Sequence, residues 1–288
     1  MSDNTAAVLT LDVAGVSAGL VRSGGLWREV RAVAETGSSN ADLLAAAVAG
    51  AAEGTVLVAE AQTAGRGRLG RRWASPPRAG LTFSVLLRPD GVPAALLGWL
   101  PLLAGVAAAV SVRVVTAVDA TLKWPNDVLV GEWKLGGILA ERTGTAVVVG
   151  IGINVWQARA DLPPDAAATS LTLAAGAGVT GQAGACGPGL RERLLAGLLD
   201  ELGCRYESWR DQASPGDADA CGLRQEYVRR CATLGREVTV TMPGTEPVTG
   251  TATGVDHAGR LEVRTAGGVV AVTAGDVVHV RPQNEAGY

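Results

Sequence analysis

The chain has 288 residues, 48% of them hydrophobic and 18% charged, with a net charge of −3 and a pI near 5.5. That composition can bury a sizeable core, which excludes a disordered chain, and the length suits one large domain plus a small one. The acidic balance excludes a general nucleic-acid binder, which needs a basic face to displace counterions.

The N-terminus, MSDNTAAVLTLDVAG, lacks a basic n-region, so no secretion signal is expected. Residues 1–34 are mixed and poorly periodic. The stretch ETGSSNADLLAAAVAGAAEG then predicts a helix, with Ser39 or Asn40 as N-cap, Leu43, Leu44 and Val48 on one face, and Gly54 as its stop. Residues 55–59 and 81–87 read as strands. Residues 91–112 carry no charge and are long enough to span a bilayer, but Pro93, Pro101 and the small-residue breaks favour a buried core helix at 101–118. No membrane partner is expected. Residues 128–130, 134–141 and 146–151 read as consecutive antiparallel strands joined by short turns. Gly150 and Gly152 end that run, where a ligand could approach the backbone closely.

A Gly/Pro/Ala-rich stretch, 176–189, reads as a loop or insertion. Residues 190–209 have a 3.6 period, 214–220 form a loop and 222–232 a further helix. From Leu234 the period changes to short alternating segments, REVTVTM, PVTGTATGVD, RLEVRT, GVVAVTA and DVVHVR, which predict a small closed barrel of five strands. The expected division is an N-terminal extension at 1–34, a catalytic domain at 35–232, a small barrel at 233–282 and a tail at 283–288. Cys186, Cys204, Cys221 and Cys231 form no CxxC and read as reduced thiols of a cytoplasmic protein.

Basic residues are nearly all arginine. The two lysines, Lys123 and Lys134, fall in one segment, TLKWPNDVLVGEWKLGGILAER. Lysine is a compact point charge and arginine a broad planar fork, so a chain with this habit keeps lysine where a fork will not fit. Upstream, AEAQTAGRGRLGRRW places Arg66, Arg68, Arg71 and Arg72 among glycines. The bland readings are base composition for the lysines and a solvated face for the arginines. Their neighbours argue otherwise. Glycines expose backbone N–H groups and arginines supply forks, which together make an anion trap suited to phosphates. Residues 65–70 match GxGxxG literally, but Pro76 and Pro77 forbid the helix that a dinucleotide motif requires. Trp73 offers a flat face for a purine or fills a hinge. The only histidines are His257 and His279, which excludes a Ser-His-Asp hydrolase or His-ligated zinc from the main domain.

With ETGSSN (35–40), AEAQTAGRGRLGRRW (59–73), LKWPNDVL (122–129), KLGGILAE (134–141), VVVGIGINV (147–155) and ATSL (168–171), the chain resembles the biotin–protein ligases. The resemblance implies an α+β fold. It consists of a catalytic core like that of class II aminoacyl-tRNA synthetases, with a mixed sheet, and a small C-terminal Src-homology-type barrel. It implies activation of biotin with ATP and Mg²⁺ to biotinyl-5′-AMP, then transfer to a lysine of a biotin carboxyl carrier domain. On this resemblance Lys134, Arg68 and Asp127 are the catalytic candidates. Ser38, Ser39, Asn40, Gln62, Gly65, Arg66, Lys134 and Gly137 would bind biotin. Arg68, Arg71, Trp73, Lys123, Asn126 and Asn154 would bind ATP or the adenylate. Metal ligands are not assigned. Asp127 is expected to order Lys134, Mg²⁺ or the incoming lysine.

Departures from the family pattern are Ser38-Ser39-Asn40 for Ser-Thr-Asn, and KLGGIL for KLAGIL, where Gly136 is expected to loosen the strand. Some members also repress transcription through an N-terminal helix-turn-helix. The first 34 residues hold no basic recognition helix, so a monofunctional type that binds no nucleic acid is expected. The alternatives are a lipoate-ligase-like acyl-adenylate transferase or a biotin-responsive repressor. The chemistry fits the absence of histidine: a carboxylic acid is already ionised at pH 7 and needs no general base to attack a phosphate.

Overall fold

The computed structural model describes residues 11–279, apart from 23, 164–166, 177–186, 188, 243 and 274. The first unit holds α1 (Val13–Leu20), β1 (Glu29–Val33), α2 (Ser39–Val48), β2 (Thr55–Ala59), β3 (Gly80–Leu87), α3 (Trp99–Thr116), β4 (Thr121–Lys123), β5 (Asp127–Val130), β6 (Trp133–Thr143), β7 (Ala146–Asn154), α4 (Leu171–Gly176), α5 (Leu190–Arg210) and α6 (Leu223–Arg230). Its seven strands form one mixed sheet in the order β1-β2-β3-β7-β6-β5-β4, parallel only between β1 and β2.

Side-chain alternation divides this sheet between two cores. Val56 and Val58 of β2, Leu81, Phe83, Val85 and Leu87 of β3, and Val147, Val149, Ile151 and Ile153 of β7 face the large core with α3 and α5. Leu57, Leu86, Ala146 and Val148 face α2, through Leu43 and Ala47. Along that second face the residues then turn small or polar. Past Leu86 come Ser84 and Thr82, and past Val148 come Gly150 and Gly152. Helix α2 covers the apolar end, and the rest of the face becomes the floor of a cleft.

Helix α3 takes up most of the uncharged 91–112 segment and ends past Arg113; it is long and apolar enough to cross a membrane, but most of it lies inside the core. Helix α5 packs beside it through Leu194, Leu195, Leu198, Leu199, Leu202, Tyr206 and Trp209. At its start Arg191 and Glu60, each 4% exposed, are paired at 2.5 Å, and Glu60 also accepts from Leu11 N–H. Removing one member of such a pair leaves a buried charge, at a cost of about 3–5 kcal/mol.

The second unit is an antiparallel sheet of β8 (Glu237–Thr241), β9 (Val248–Val255), β10 (Leu261–Thr265), β11 (Gly268–Val272) and β12 (Asp276–His279), in the order β11-β10-β9-β8-β12. A closed barrel is expected; the pairings among the described residues end at β11 and β12. Two buried indoles of the first unit reach across to this sheet. Trp99 Nε1 donates to His257 O at 2.8 Å and Trp124 Nε1 to Gly259 O at 3.0 Å. Thr233 Oγ1 accepts from Trp124 N–H at 3.0 Å and lies 3.2 Å from His279 Nε2. Arg236 approaches Nδ1 of the same ring at 3.5 Å, which fits a neutral imidazole protonated on Nε2. Burial pushes the His279 pKa down from 6.5 to about 4, with Lys123 and Arg236 adding to the effect. A folded-state pKa below the unfolded value means that stability is intact above pH 6.5 and lost as pH falls toward 4. Over that window the thermal midpoint of the wild type is expected to fall more steeply than that of His279→Gln. Parallel curves would mean that His279 titrates as in the unfolded chain.

Several expectations need correction. Residues 11–34 carry no visible period, yet they supply α1 and the edge strand β1. The N-cap of α2 is Ser38, whose hydroxyl accepts from Ala41 N–H. This helix ends at Val48, which is 76% exposed and not on the buried face; Gly54 leads into β2 instead. Helix α4 has no counterpart in the sequence reading. In the expected 176–189 insertion, residues 177–186 and 188, with Cys186, lie outside the described residues, as does the 283–288 tail.

Gly136 does not loosen β6. A Cβ there would lie 2.6 Å from Gly152 O and 2.6 Å from Ile153 Cδ1, so its absence lets β6 and β7 approach. Gly136→Ala is expected to destabilise the protein by about 1–3 kcal/mol, as overpacking does. Denaturant unfolding reads this directly, and an unchanged midpoint would refute it.

Candidate active site

The open face of the sheet, α2, the arginine segment and the start of β12 enclose a cleft of about 890 Å³ including its mouth. Within it lie Ser38, Ser39, Asn40, Gln62, Arg66, Arg68, Arg71, Trp73, Lys123, Asn126, Asp127, Lys134 and Gly137. Two of the residues expected from the sequence do not line it. Gly65 sits behind the cleft, where a Cβ would meet Trp73 O at 2.4 Å. Asn154, expected at the adenine, has its Nδ2 donating to Thr169 O at 2.9 Å and its Oδ1 accepting from Gln157 Nε2 at 3.2 Å.

The floor is neutral and hydrogen-bonding. Pairing between Thr36 and Gln62 sets Gln62 beside the start of α2. Gln62 Oε1 accepts from Ser39 N–H at 2.8 Å, and Ser39 Oγ lies 2.8 Å from Ser84 Oγ. Gly150 and Gly152 are small for a reason other than ligand approach alone. A Cβ at Gly150 would strike Asn40 Oδ1 at 2.2 Å, and one at Gly152 would strike the Trp73 indole at 2.5 Å. The indole therefore lies flat against the sheet, its Nε1 buried without a partner.

The wall is cationic. The arginine segment folds as a short hairpin: Trp73 N–H donates to Gly65 O at 2.9 Å and Gly67 N–H to Arg71 O at 2.6 Å, with residues 68–70 as a single tight turn. Arg68 NH1 donates to Gly275 O at 3.2 Å and reaches Asn126 Oδ1 at 3.4 Å. Arg71 pairs with Asp276 at 2.6 Å, a contact that raises the guanidinium pKa. Lys134 Nζ lies 2.6 Å from Asp127 Oδ1. Burial lowers the pKa of Lys123, opposed by Asp127 and Asp276. Arg66, Arg68, Arg71, Arg72, Lys123 and Lys134 thus line the cleft with Asp127 and Asp276 as its acids, and Arg66 also lies 3.7 Å from Glu141; the excess of cations makes an anion-attracting field.

Residues missed from the sequence are Ser84, Glu141 and Asp276. Ser84 has a readable signal as the one hydroxyl amid the apolar end of LTFSVLL. Asp276 has none, because it arrives from the other unit.

A neutral polar floor joined to a cationic wall suits a ligand with an uncharged polar head and an anionic end. Known proteins agree. The Biotin/lipoate A/B protein ligase family matches residues 36–156, and the Biotin protein ligase C terminal domain matches residues 233–280. A biotin–[acetyl-CoA-carboxylase] ligase of Mycobacterium tuberculosis is 45% identical over 266 residues, 91% of this chain and 93% of the relative. The bifunctional ligase/repressor BirA of Bacillus subtilis is 34% identical over 235 residues, 79% of this chain and 66% of that relative. The biotin protein ligase from Aquifex aeolicus in complex with biotin and ATP superposes with a TM-score of 0.71 at 28% identity, covering 88% of this chain and all of that one. The chain belongs to the biotin–protein ligase family.

Proposed function

We propose that this protein activates biotin with ATP and transfers it to a lysine of a biotin carboxyl carrier domain. The carrying observation is the placement of Lys134, Arg68 and Lys123 on one wall of a cleft whose floor is the Ser39–Gln62 hydrogen-bonding pair. In the first step a carboxylate oxygen of biotin attacks the α-phosphorus of ATP. The bond to the β-phosphate breaks, and pyrophosphate leaves with its electron pair. Lys134 bridges the two anions, Arg68 holds the α-phosphate, and Arg71 and Lys123 hold the outer phosphates. In the second step the carrier amine attacks the acyl carbon of the mixed anhydride, AMP departs, and the amine loses a proton. Donors fixed in a partly dry site stabilise the crowded negative transition state, each typically worth ~10²–10³-fold.

Biotin seats its ring on Ser38, Ser39, Asn40 and Gln62, and its acid points to Lys134. Trp73, Asn126 and Arg66 complete the walls around the adenylate. Asp127 orders Lys134, consistent with their 2.6 Å contact. Among the described residues no cluster of three His, Cys, Asp or Glu could cage a metal, which suits an Mg²⁺ that arrives on the triphosphate. Asp127 and Asp276 are the carboxylates on the cleft wall that would hold it, and the ion would screen phosphate charge. The three described cysteines are free thiols, which suits a cytoplasmic site of action.

Mass spectrometry of a carrier domain incubated with the protein, biotin, ATP and Mg²⁺ tests this. One biotinyl group on one lysine is expected. No modification with biotin, or modification with lipoate in its place, would overturn the assignment.

A further inference from the structure

A buried line of hydrogen bonds runs from Lys134 to the end of the arginine hairpin, and partners that allow only one role set its proton directions. Strand β7 pairs with β6 only from Gly136 onward, so beside Lys134 its place is taken by residues 167–169. Lys134 N–H donates to Ala167 O at 2.7 Å, and Thr169 N–H to Lys134 O at 2.8 Å. Thr169 O can only accept, so the Asn154 atom 2.9 Å away is Nδ2 and Asn154 Oδ1 faces Gln157. That oxygen needs a donor, so the Gln157 atom 3.2 Å from it is Nε2. The same nitrogen donates to Ser75 Oγ at 2.9 Å, and the Ser75 hydroxyl donates to Pro76 O at 3.2 Å. Ser75 lies two residues past Trp73, where the hairpin ends. Gln157 is 1% exposed, and its Oε1 is buried without a partner among the described residues. An unpaired buried carbonyl is costly, so this position gains from glutamine only through its two N–H groups.

We propose that Gln157 is a positioning residue that fixes the spacing between Lys134 and the arginine hairpin, so that both grip one acyl-adenylate at once. The inference rests on the biotin-activating reading of this site. Gln157 does not line the cleft and acts through Ser75 on one side and Asn154 on the other. In that reading biotin alone meets Lys134 and the polar floor, whereas biotinyl-AMP also meets Arg68, Arg71 and Trp73 on the hairpin. Only a ligand that spans both parts senses their separation, and it binds more tightly when that separation is already the one it needs. With the Gln157 donors removed, Asn154 Oδ1 is left buried and unpaired, and the end of the hairpin is free to shift relative to the segment that holds Lys134.

The test is calorimetric binding of biotin and of an acylsulfamate analogue of biotinyl-AMP to the full chain, with thermal midpoints alongside. Gln157→Met keeps the length of the side chain and removes both donors. It is expected to weaken the analogue ~10-fold, the net worth of about one hydrogen bond, and to leave the affinity for biotin unchanged. Ser75→Ala cuts the same line at its hairpin end and is expected to do the same, while Ser75→Thr, which keeps the hydroxyl, binds the analogue as wild type does. Gln157→Met and Ser75→Ala together should lose no more than either alone, because residues of one network are not additive. Should Gln157→Met not fold, the two Ser75 variants make the comparison by themselves. Equal losses for biotin and the analogue, or unchanged affinity for the analogue, would overturn the proposal. A loss in Gln157→Met that Ser75→Ala does not share would overturn it too, by placing the effect on Asn154 alone. Failure of wild type to bind biotin would instead overturn the functional reading beneath it.

Discussion

Lys134→Ala is expected to abolish formation of biotinyl-AMP, by at least ~10²–10³-fold in the rate of pyrophosphate release. In the proposed geometry its ammonium meets the attacking carboxylate and the α-phosphate together, so its removal leaves two anions to repel each other at the moment of bonding. Folding should survive. The Lys134 side chain is 33% exposed and its Asp127 partner 22%, and partly solvated pairs of this kind contribute about 0–1 kcal/mol. Lys134→Arg is also expected to fail. A planar guanidinium fork does not set one compact charge against Asp127 Oδ1 and two further anions, as the ammonium at 2.6 Å from that oxygen can. Pyrophosphate release at the wild-type rate in either variant, with a wild-type thermal midpoint, would remove Lys134 from the mechanism.

This part of the site was legible because scarcity marked it. With only two lysines, each must hold a place that arginine cannot fill, and both line the cleft. The strands β2, β3 and β7 were legible because burial on both faces makes them nearly continuous apolar runs, and α5 because its leucines repeat along one side. Other features depend on pairing at long range. Strand β1 is a weak pattern made into a strand by lying parallel to β2. Gly136 reads as a soft spot in the sequence, and only the close approach of β7 explains its missing Cβ; the partners of the Asn154 amide, Thr169 O and Gln157 Nε2, are equally invisible in a linear pattern. Asp276 reaches the cleft because contacts such as those of Trp99 and Trp124 tie the second sheet to the first.

The second large effect follows from that tie. The arginine hairpin is held from its far side by the second unit: Arg68 by Gly275 O and Arg71 by Asp276. Both arginines line the cleft, and in the proposed function they face the adenylate. Arg68→Ala is expected to shorten the lifetime of bound biotinyl-AMP by ~10–100-fold, because a hydrogen bond to a charged group contributes about 1.5–3 kcal/mol. The hairpin itself should persist, since Gly65–Trp73 and Gly67–Arg71 backbone bonds and the Arg71–Asp276 pair all remain. The intermediate should then be made but not kept, and biotin should appear on lysines of a bystander protein as well as on the carrier. Trapping released biotinyl-AMP after a single turnover, with the bystander's labelling read by mass spectrometry, measures both. An unchanged lifetime with labelling confined to the carrier would mean that Arg68 closes the cleft without holding the phosphate, and that retention lies with Lys123 and Lys134.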